Sequence, residues 1–438
     1  MILYHPGDPN LMPVGLRDRI AREAVPFPLD PSDAFNTAVD KLLASVGRPV
    51  ELLGLGEALH GGEDILQLRN RLFMRLVEAH GYTAIAIESS FPRSRAVNEH
   101  IAGRGPASFD EVKSTGFSHG FGLLEANREL VEWMRQYNAD PSHGAKLSFY
   151  GFDGPMEMMY ADSPGQVLHF VTDYLASIDG TSGRERRERI DAFLGPDARW
   201  EDPAAAMDPA RSVGMSPDAT ALRIETEDLV SELRERRPDL VAKGGEGRYR
   251  EAAHYASVAH QLLNYHSWMA RRSDDRLVRL LGIRDALMAD NILYIASQER
   301  GRGKVLVFAH NRHLQRGRAQ MQLGPHSLTW WPAGAQLEAT MGDRYAVIGS
   351  AVGVSGANGI ERPQAGSLED MLAATPGPGR FVPTHWRYGL PDIASLPVRS
   401  GSAKNPTYFP LSAHSLRDFD WLVMLDTVTY SRGGPPLP

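Results

Sequence analysis

Short, almost wholly apolar runs that end on glycine or a polar residue, each followed by helix-period sequence, recur along this 438-residue chain. That alternation constrains the fold more than any other feature. Glu51–Leu55 (ELLGL) runs into Gly56, Ala84–Ile87 (AIAI) into Glu88, Lys146–Tyr150 (KLSFY) into Gly151, and Lys304–Phe308 (KVLVF) into Ala309. A short run without polar alternation is the pattern of a strand covered on both faces, because crossover helices shield both sides of a parallel sheet. Tyr345–Val352 and Trp421–Leu425 predict further strands. The expected fold is α/β, with a largely parallel sheet core.

Between the third and fourth runs lies a stretch, 156–300, with no strand signal. Its early part, GPDARWEDPAAAMDPARSVGMSPDA, carries turn residues and predicts an irregular loop. Ala219–Arg236, Tyr249–Met269 and Arg284–Gln298 have apolar residues at helical spacing, the first stopping just before Pro238. The expected organisation is an N-terminal half of the core over 1–155, a helical insertion over 156–300 forming part of the active-site cleft, and a C-terminal half over 301–438. Residues 374–405 are rich in Pro and Gly and predict loops, and the tail SRGGPPLP predicts a frayed end.

Formal net charge is −7, and no long basic run is present; RERRER at 184–189 is short, broken by glutamate, and predicts a solvated helix face. No nucleic-acid partner is expected. The chain has no cysteine, which removes thiol nucleophiles, thiolate metal sites and disulfides. MILYHPGDPN lacks a basic start followed by an apolar region, and no apolar stretch reaches the roughly 18 residues of a spanning helix, so a cytoplasmic protein with no membrane partner is expected.

The residues able to do chemistry fall just past the four strand runs, where open parallel sheets bind ligands. Glu57 and His60 follow the first in GEALHGG, Glu88 the second, Asp153 the third, and His310 and His313 the fourth in FAHNRH. Beside Glu57 and Glu88, a neutral His60 could take a proton from water as it attacks a carbonyl, a carboxylate fixing its tautomer and stabilising the imidazolium. His310 or His313 could protonate the leaving alcohol or hold an oxyanion. Arg69, nine residues after His60 on a predicted helix, could supply positive charge, or simply pair with an acid. Asp153, Asn311 and Asp285 stand as substrate-binding candidates, with turn or N-cap roles open for the first and second. Met156, Met158, Met159, Trp330 and Trp331 are candidate apolar contacts.

Other motifs carry less. Gly116–Gly120 (GFSHG) matches G-x-S-x-G, but ASFDEVKST before it is no buried strand, so a serine nucleophile is not expected. Leu59 stands where a third glycine would complete a dinucleotide fingerprint begun by Gly54 and Gly56. Metal binding is the serious rival. His310-x-x-His313 and Glu57-x-x-His60 could each present two ligands on one helical face, so zinc or manganese stays open although no cofactor is expected.

The ordered set Gly56–Gly61 (GEALHG), Ile87-Glu88, Trp133–Asn138 (WMRQYN), Gly151–Asp153 (GFD), Arg284–Asn291 (RDALMADN), Ala309–His313 (AHNRH) and Gly342–Tyr345 (GDRY) resembles the erythromycin esterase family. Ala58 departs from a position where that family often has a small hydroxyl or proline, and Gly62 from one where a hydroxyl residue is common. The resemblance implies an α/β core with a helical segment over a cleft, and metal-independent hydrolysis of a macrolide lactone or related small apolar ester without a covalent intermediate. It implies His60 as general base, with Glu57, Arg69, Glu88, His310 and His313 as supporting polar groups. A natural-product tailoring enzyme using the same histidine for proton transfer, a metal-dependent hydrolase, and a binding protein without turnover remain alternatives, since family membership does not settle substrate.

Overall fold

The computed structural model describes residues 15–157, 160–384 and 396–435. Its strands are β1 (Val25–Phe27), β2 (Leu52–Glu57), β3 (Tyr82–Ser90), β4 (Ser148–Asp153), β5 (Met156–Glu157), β6 (Tyr160–Ala161), β7 (Lys304–His310), β8 (Ala319–Leu323), β9 (His326–Trp330), β10 (Tyr345–Val354), β11 (Gly379–Pro383) and β12 (Trp421–Thr427). The main sheet runs β1-β11-β12-β10-β2-β7-β3-β4. From β12 to β4 every neighbour is parallel, and only β11 runs against the rest. The mixed α/β fold with a large, largely parallel sheet is therefore as the sequence predicts.

Alternate strand residues face opposite layers, as the two-residue period requires. Ala84, Ala86, Val305 and Val307 pack on one side, against helices of the 165–299 region; Ile85, Ile87, Leu306 and Phe308 pack on the other, against Asp33–Val46, Glu63–His80 and Glu125–Ala139. β1 and β4 are the two edges of the main sheet. On β4 the outward N–H groups are covered from the helix Phe91–Ile101, Phe149 N donating to Asn98 Oδ1 (2.9 Å) and Gly151 N to Ser94 Oγ (2.6 Å), which blunts an edge otherwise open to strand addition.

The predicted helices appear as Pro217–Glu235, Glu246–Met269 and Arg276–Glu299; Pro238 opens a separate helix, Arg237–Gly244, in its first turn, where its missing N–H costs nothing. RERRER lies on the helix Gly180–Leu194, where Arg186 and Arg189 pair with Glu225. The irregular stretch contains 3₁₀ turns, two of them opened by Asp202 and Asp208 accepting from Ala204 N and Ala210 N. The hairpins β5–β6 and β8–β9 and the strands β1 and β11 were not expected. Pro26, Pro383 and the polar alternation of AQMQL disguise them, and proline is tolerated at the poorly paired margin of a sheet.

The C-terminal segment is docked rather than frayed over 429–434. Ser431 N donates to Gly61 O (3.1 Å), Glu63 N to Thr429 O (3.0 Å) and Glu125 N to Arg432 O (2.9 Å), while Arg432 pairs with Glu63 and Glu129. It ties the loop carrying His60 to the start of the helix Glu125–Ala139. Among the described residues no helix is long and apolar enough to cross a membrane.

Candidate active site

Strands β2, β7, β3 and β4 are neighbours, so their carboxyl ends stand side by side although β7 comes some 150 residues after β4 in the chain. The strands run longer than their apolar cores suggest. Glu57, Glu88, Asp153 and His310 are strand residues rather than loop residues beyond the ends, and Glu57 is paired with His310 in the parallel register. Rigid strands thus set the spacing of the polar groups.

The turn after β2 places His60 back over Glu57. His60 Nδ1 lies 2.6 Å from Glu57 Oε1; the carboxylate can only accept, so Nδ1 carries the proton and donates. His60 Nε2 is 4.0 Å from Glu88 Oε1, beyond direct hydrogen bonding, and the ring is partly exposed (32%) while Glu57 and Glu88 are buried. The backbone of the turn is clamped by residues 405–409, far along the chain. His60 N donates to Thr407 Oγ1 (3.0 Å), Asn405 Nδ2 to His60 O (2.9 Å), and Phe409 N to Ala58 O (2.7 Å). Gly61, at φ +82°, packs so closely on Tyr430 that a Cβ would lie 2.7 Å from its ring.

Glu88 is the hub. It accepts from His310 N (2.8 Å) and Arg284 Nη2 (3.3 Å), and His313 Nε2 lies 3.3 Å away. Arg284 grips Asp153 with Nε and Nη2 (3.1 and 2.7 Å), and His119 Nε2 meets the same carboxylate at 2.9 Å. Burial alone would raise the Glu88 carboxyl, but His313, His60 and Arg284 outweigh it and hold it well below the usual carboxylate range. Asp153 is likewise lowered against its burial, chiefly by Arg284. Burial pushes His60 down, and the charges of Glu57 and Glu88 more than reverse it, so its pKa is raised. His313, pinned between Asp285 Oδ1 (2.8 Å) and Glu88, is raised to about 10 despite burial and is an imidazolium at neutral pH. His310 is the opposite case: burial and then Arg312 push it well below the ordinary value, and both nitrogens are engaged, Nε2 donating to Thr407 O (2.7 Å) and Nδ1 accepting from Arg312 N (3.1 Å).

The structure brings Glu57, His60, Glu88, His310 and His313 together and corrects the places of the others. Among the described residues Arg69 makes no carboxylate pair. It is buried, donates to Asn70 Oδ1 and Ala126 O, and stacks 4.9 Å over Phe308. With Glu57, Glu88, Phe121 and Asn127 it lines a narrow cavity with room for about one water, so its charge reaches the site only through space. Burial lowers its pKa to about 10. Asn311 is not at the opening, since its amide bridges Ser350 O and N (2.8 and 3.0 Å). Asp285 is equally internal, accepting from Trp330 Nε1 (2.5 Å) and Ala333 N (3.0 Å) besides holding His313. Asp153 is fully buried beneath Arg284 and His119. Met156 and Trp330 are core, Trp331 is exposed, and Met158 and Met159 lie outside the described residues.

Arg284, His119, Asn405 and Thr407 are the residues sequence reasoning missed. Arg284 precedes Asp285 in the RDALMADN motif, and adjacent opposite charges inside a helix were a usable signal. His119 sits within GFSHG. Ser118 itself is buried and its Oγ accepts from Ser90 N (2.9 Å), with a helix turn, Phe109–Val112, rather than a strand upstream, so this serine is no nucleophile elbow.

Of the two pairs that left metal binding open, His310 and His313 turn to different partners, His310 to Thr407 and His313 to Asp285 and Glu88, while Glu57 and His60 meet in their own 2.6 Å hydrogen bond. Among the described residues, ligand atoms of Glu88, His119 and Asp153 lie within 4.8 Å of one another. Arg284 already supplies the cation there, bound to both carboxylates, so the set fits a metal ion poorly.

The erythromycin esterase family model matches residues 77–428, a span that begins after Glu57, His60 and Arg69. Erythromycin esterase type II of Escherichia coli is 26% identical over 329 residues, 74% of each chain. The putative hydrolase YbfO of Bacillus subtilis (strain 168) is 24% identical over 378 residues, 81% of this chain and 78% of that protein. Among solved structures, a Bacillus cereus protein superposes with a TM-score of 0.71 at 18% identity, covering 96% of this chain and 99% of that one. A mutant of the erythromycin esterase EreC in its open conformation superposes at 0.66 and 17% identity, covering 93% and 98%. The layout of the sheet, the order of the motifs and the extent of the family match agree, and the chain belongs to the erythromycin esterase family of hydrolases.

Proposed function

We propose that the protein hydrolyses a carboxylic ester, with a macrolide lactone as the first substrate class to try, using His60 as the base that activates water. The observation that carries this is the 2.6 Å bond from His60 Nδ1 to Glu57, which leaves Nε2 to carry the lone pair of a partly exposed ring. Water bonded to Nε2 would give up its proton as its oxygen attacks the acyl carbon. Glu57 and Glu88 stabilise the resulting imidazolium, and Arg284 and His313 keep Glu88 ionised so that it can. No residue in the arrangement is placed as an acyl-accepting nucleophile, and Arg284 takes the position of a catalytic cation. Both points support a metal-free reaction without a covalent intermediate.

The test is mass spectrometry of the chelator-treated protein incubated with macrolides of different ring sizes and with simple alkyl esters. A gain of one water is expected. A product isomeric with its substrate would favour proton transfer in a cyclisation or elimination at the same histidine. Activity lost on chelation and restored by zinc or manganese would contradict the metal-free route.

A further inference from the structure

Ester hydrolysis needs a proton for the leaving oxygen as well as a base for water, and the histidines expected to supply it are already committed. His310 has a partner on each nitrogen, and His313 is locked between Asp285 and Glu88. We infer that His119, held by Asp153, is the acid that protonates the leaving group, an assignment that rests on the hydrolytic reading above.

Four observations place it there. His119 Nε2 donates to Asp153 Oδ2 (2.9 Å), which repeats on β4 the relation of His60 to Glu57 on β2. His119 and His60 both lie against Phe121, ring centroids 5.3 and 5.7 Å away, and both come near Glu88, His60 Nε2 at 4.0 Å from Oε1 and a His119 ring nitrogen within 4.8 Å of the carboxylate. His119 keeps 17% of its side chain exposed while Asp153 is fully buried, and Nδ1 is 3.6 Å from Glu157 Oε2, outside hydrogen-bonding distance. Finally, His119 is the sole non-glycine among the described residues with positive φ (56°), a conformation fixed by its N–H donating to Glu157 Oε1 (2.8 Å). Strain of this kind persists where the surroundings over-determine a side-chain position.

The step balances without a co-reactant. His60 takes one proton from water, the water oxygen bonds to the acyl carbon, and the bond to the leaving oxygen breaks with its electron pair going to that oxygen. His119, in this step an imidazolium with Nε2–H on Asp153, delivers its Nδ1 proton there and is left neutral. Proton exchange with solvent then restores both rings, and one water is consumed per ester.

Asparagine and glycine both tolerate left-handed φ, so His119→Asn and His119→Gly avoid the strain other residues would introduce. Each is assayed against an alkyl ester and a nitrophenyl ester of the same acid; the nitrophenolate needs no proton to leave. The expected result is a loss of about 10²-fold on the alkyl ester, the size of a general-acid contribution, with nitrophenyl turnover within a few-fold of wild type and imidazole rescuing the glycine variant. Unchanged nitrophenyl turnover is also proof of folding. Equal loss on both esters, or none on either, overturns the acid role. A wild type inactive on both removes the hydrolytic reading, and the acid role falls with it.

Discussion

Asp153 and Arg284, 131 residues apart in sequence, form a bidentate pair, Nε to Oδ1 at 3.1 Å and Nη2 to Oδ2 at 2.7 Å, and the same guanidinium reaches Glu88. The helix Arg276–Glu299 is thereby fastened to the ends of two strands. Removing one partner of a buried pair leaves an uncompensated charge, so Arg284→Met should cost about 3–5 kcal/mol. Urea unfolding measures it; a change below about 1 kcal/mol would show the pair to be dispensable.

The charge of Glu57 helps hold the pKa of His60 above its ordinary value against the opposing effect of burial. The base works only when neutral, so kcat/KM should rise with pH through that raised value. Glu57→Gln should move this acid limb to lower pH and depress the maximum by about 10²-fold or more. An unmoved limb would mean that Glu57 does not govern the ionisation of His60.

His313 contributes stability with a definite pH sign. Its folded pKa is raised from 6.5 to about 10, so the stabilisation is full below the unfolded value and is lost as pH climbs through about 10. Unfolding free energies taken across that window should fall with pH in the wild type and less so in His313→Gln. Parallel slopes would contradict the pairing with Asp285 and Glu88.

Gly56 gives Asn311 its room. A Cβ at 56 would lie 2.2 Å from Asn311 Oδ1 and 3.1 Å from its Cα. Gly56→Ala should destabilise by about 1–3 kcal/mol through overpacking, and Asn311→Ala by a similar amount because Ser350 N and O lose their partners. Thermal melts of the two variants check this.

The sheet was readable in the sequence because strands buried on both faces have little freedom of composition: Ala84–Ile87 and Lys304–Phe308 could be little else. The site was readable to the extent that its residues follow those strands, as Glu57, His60, Glu88 and His310 do. Asn405 and Thr407 left no such trace. They clamp His60 through side-chain to backbone bonds formed only when a distant loop folds back, and no local period records that. Arg69 and Asn311 had the residue types and spacing of site groups, but their side chains turn into the protein, to Ala126 and Ser350. Polarity and position along the chain do not specify which way a side chain leaves a helix.

His60→Ala tests the central claim most directly, measured as kcat/KM beside wild type on any ester the wild type opens, with melting temperature as the control for folding. The account predicts a fall of at least about 10²-fold in a variant that still melts cooperatively, at a temperature lowered by the loss of the 2.6 Å partner of buried Glu57. Turnover retained near the wild-type rate in the folded variant would contradict it.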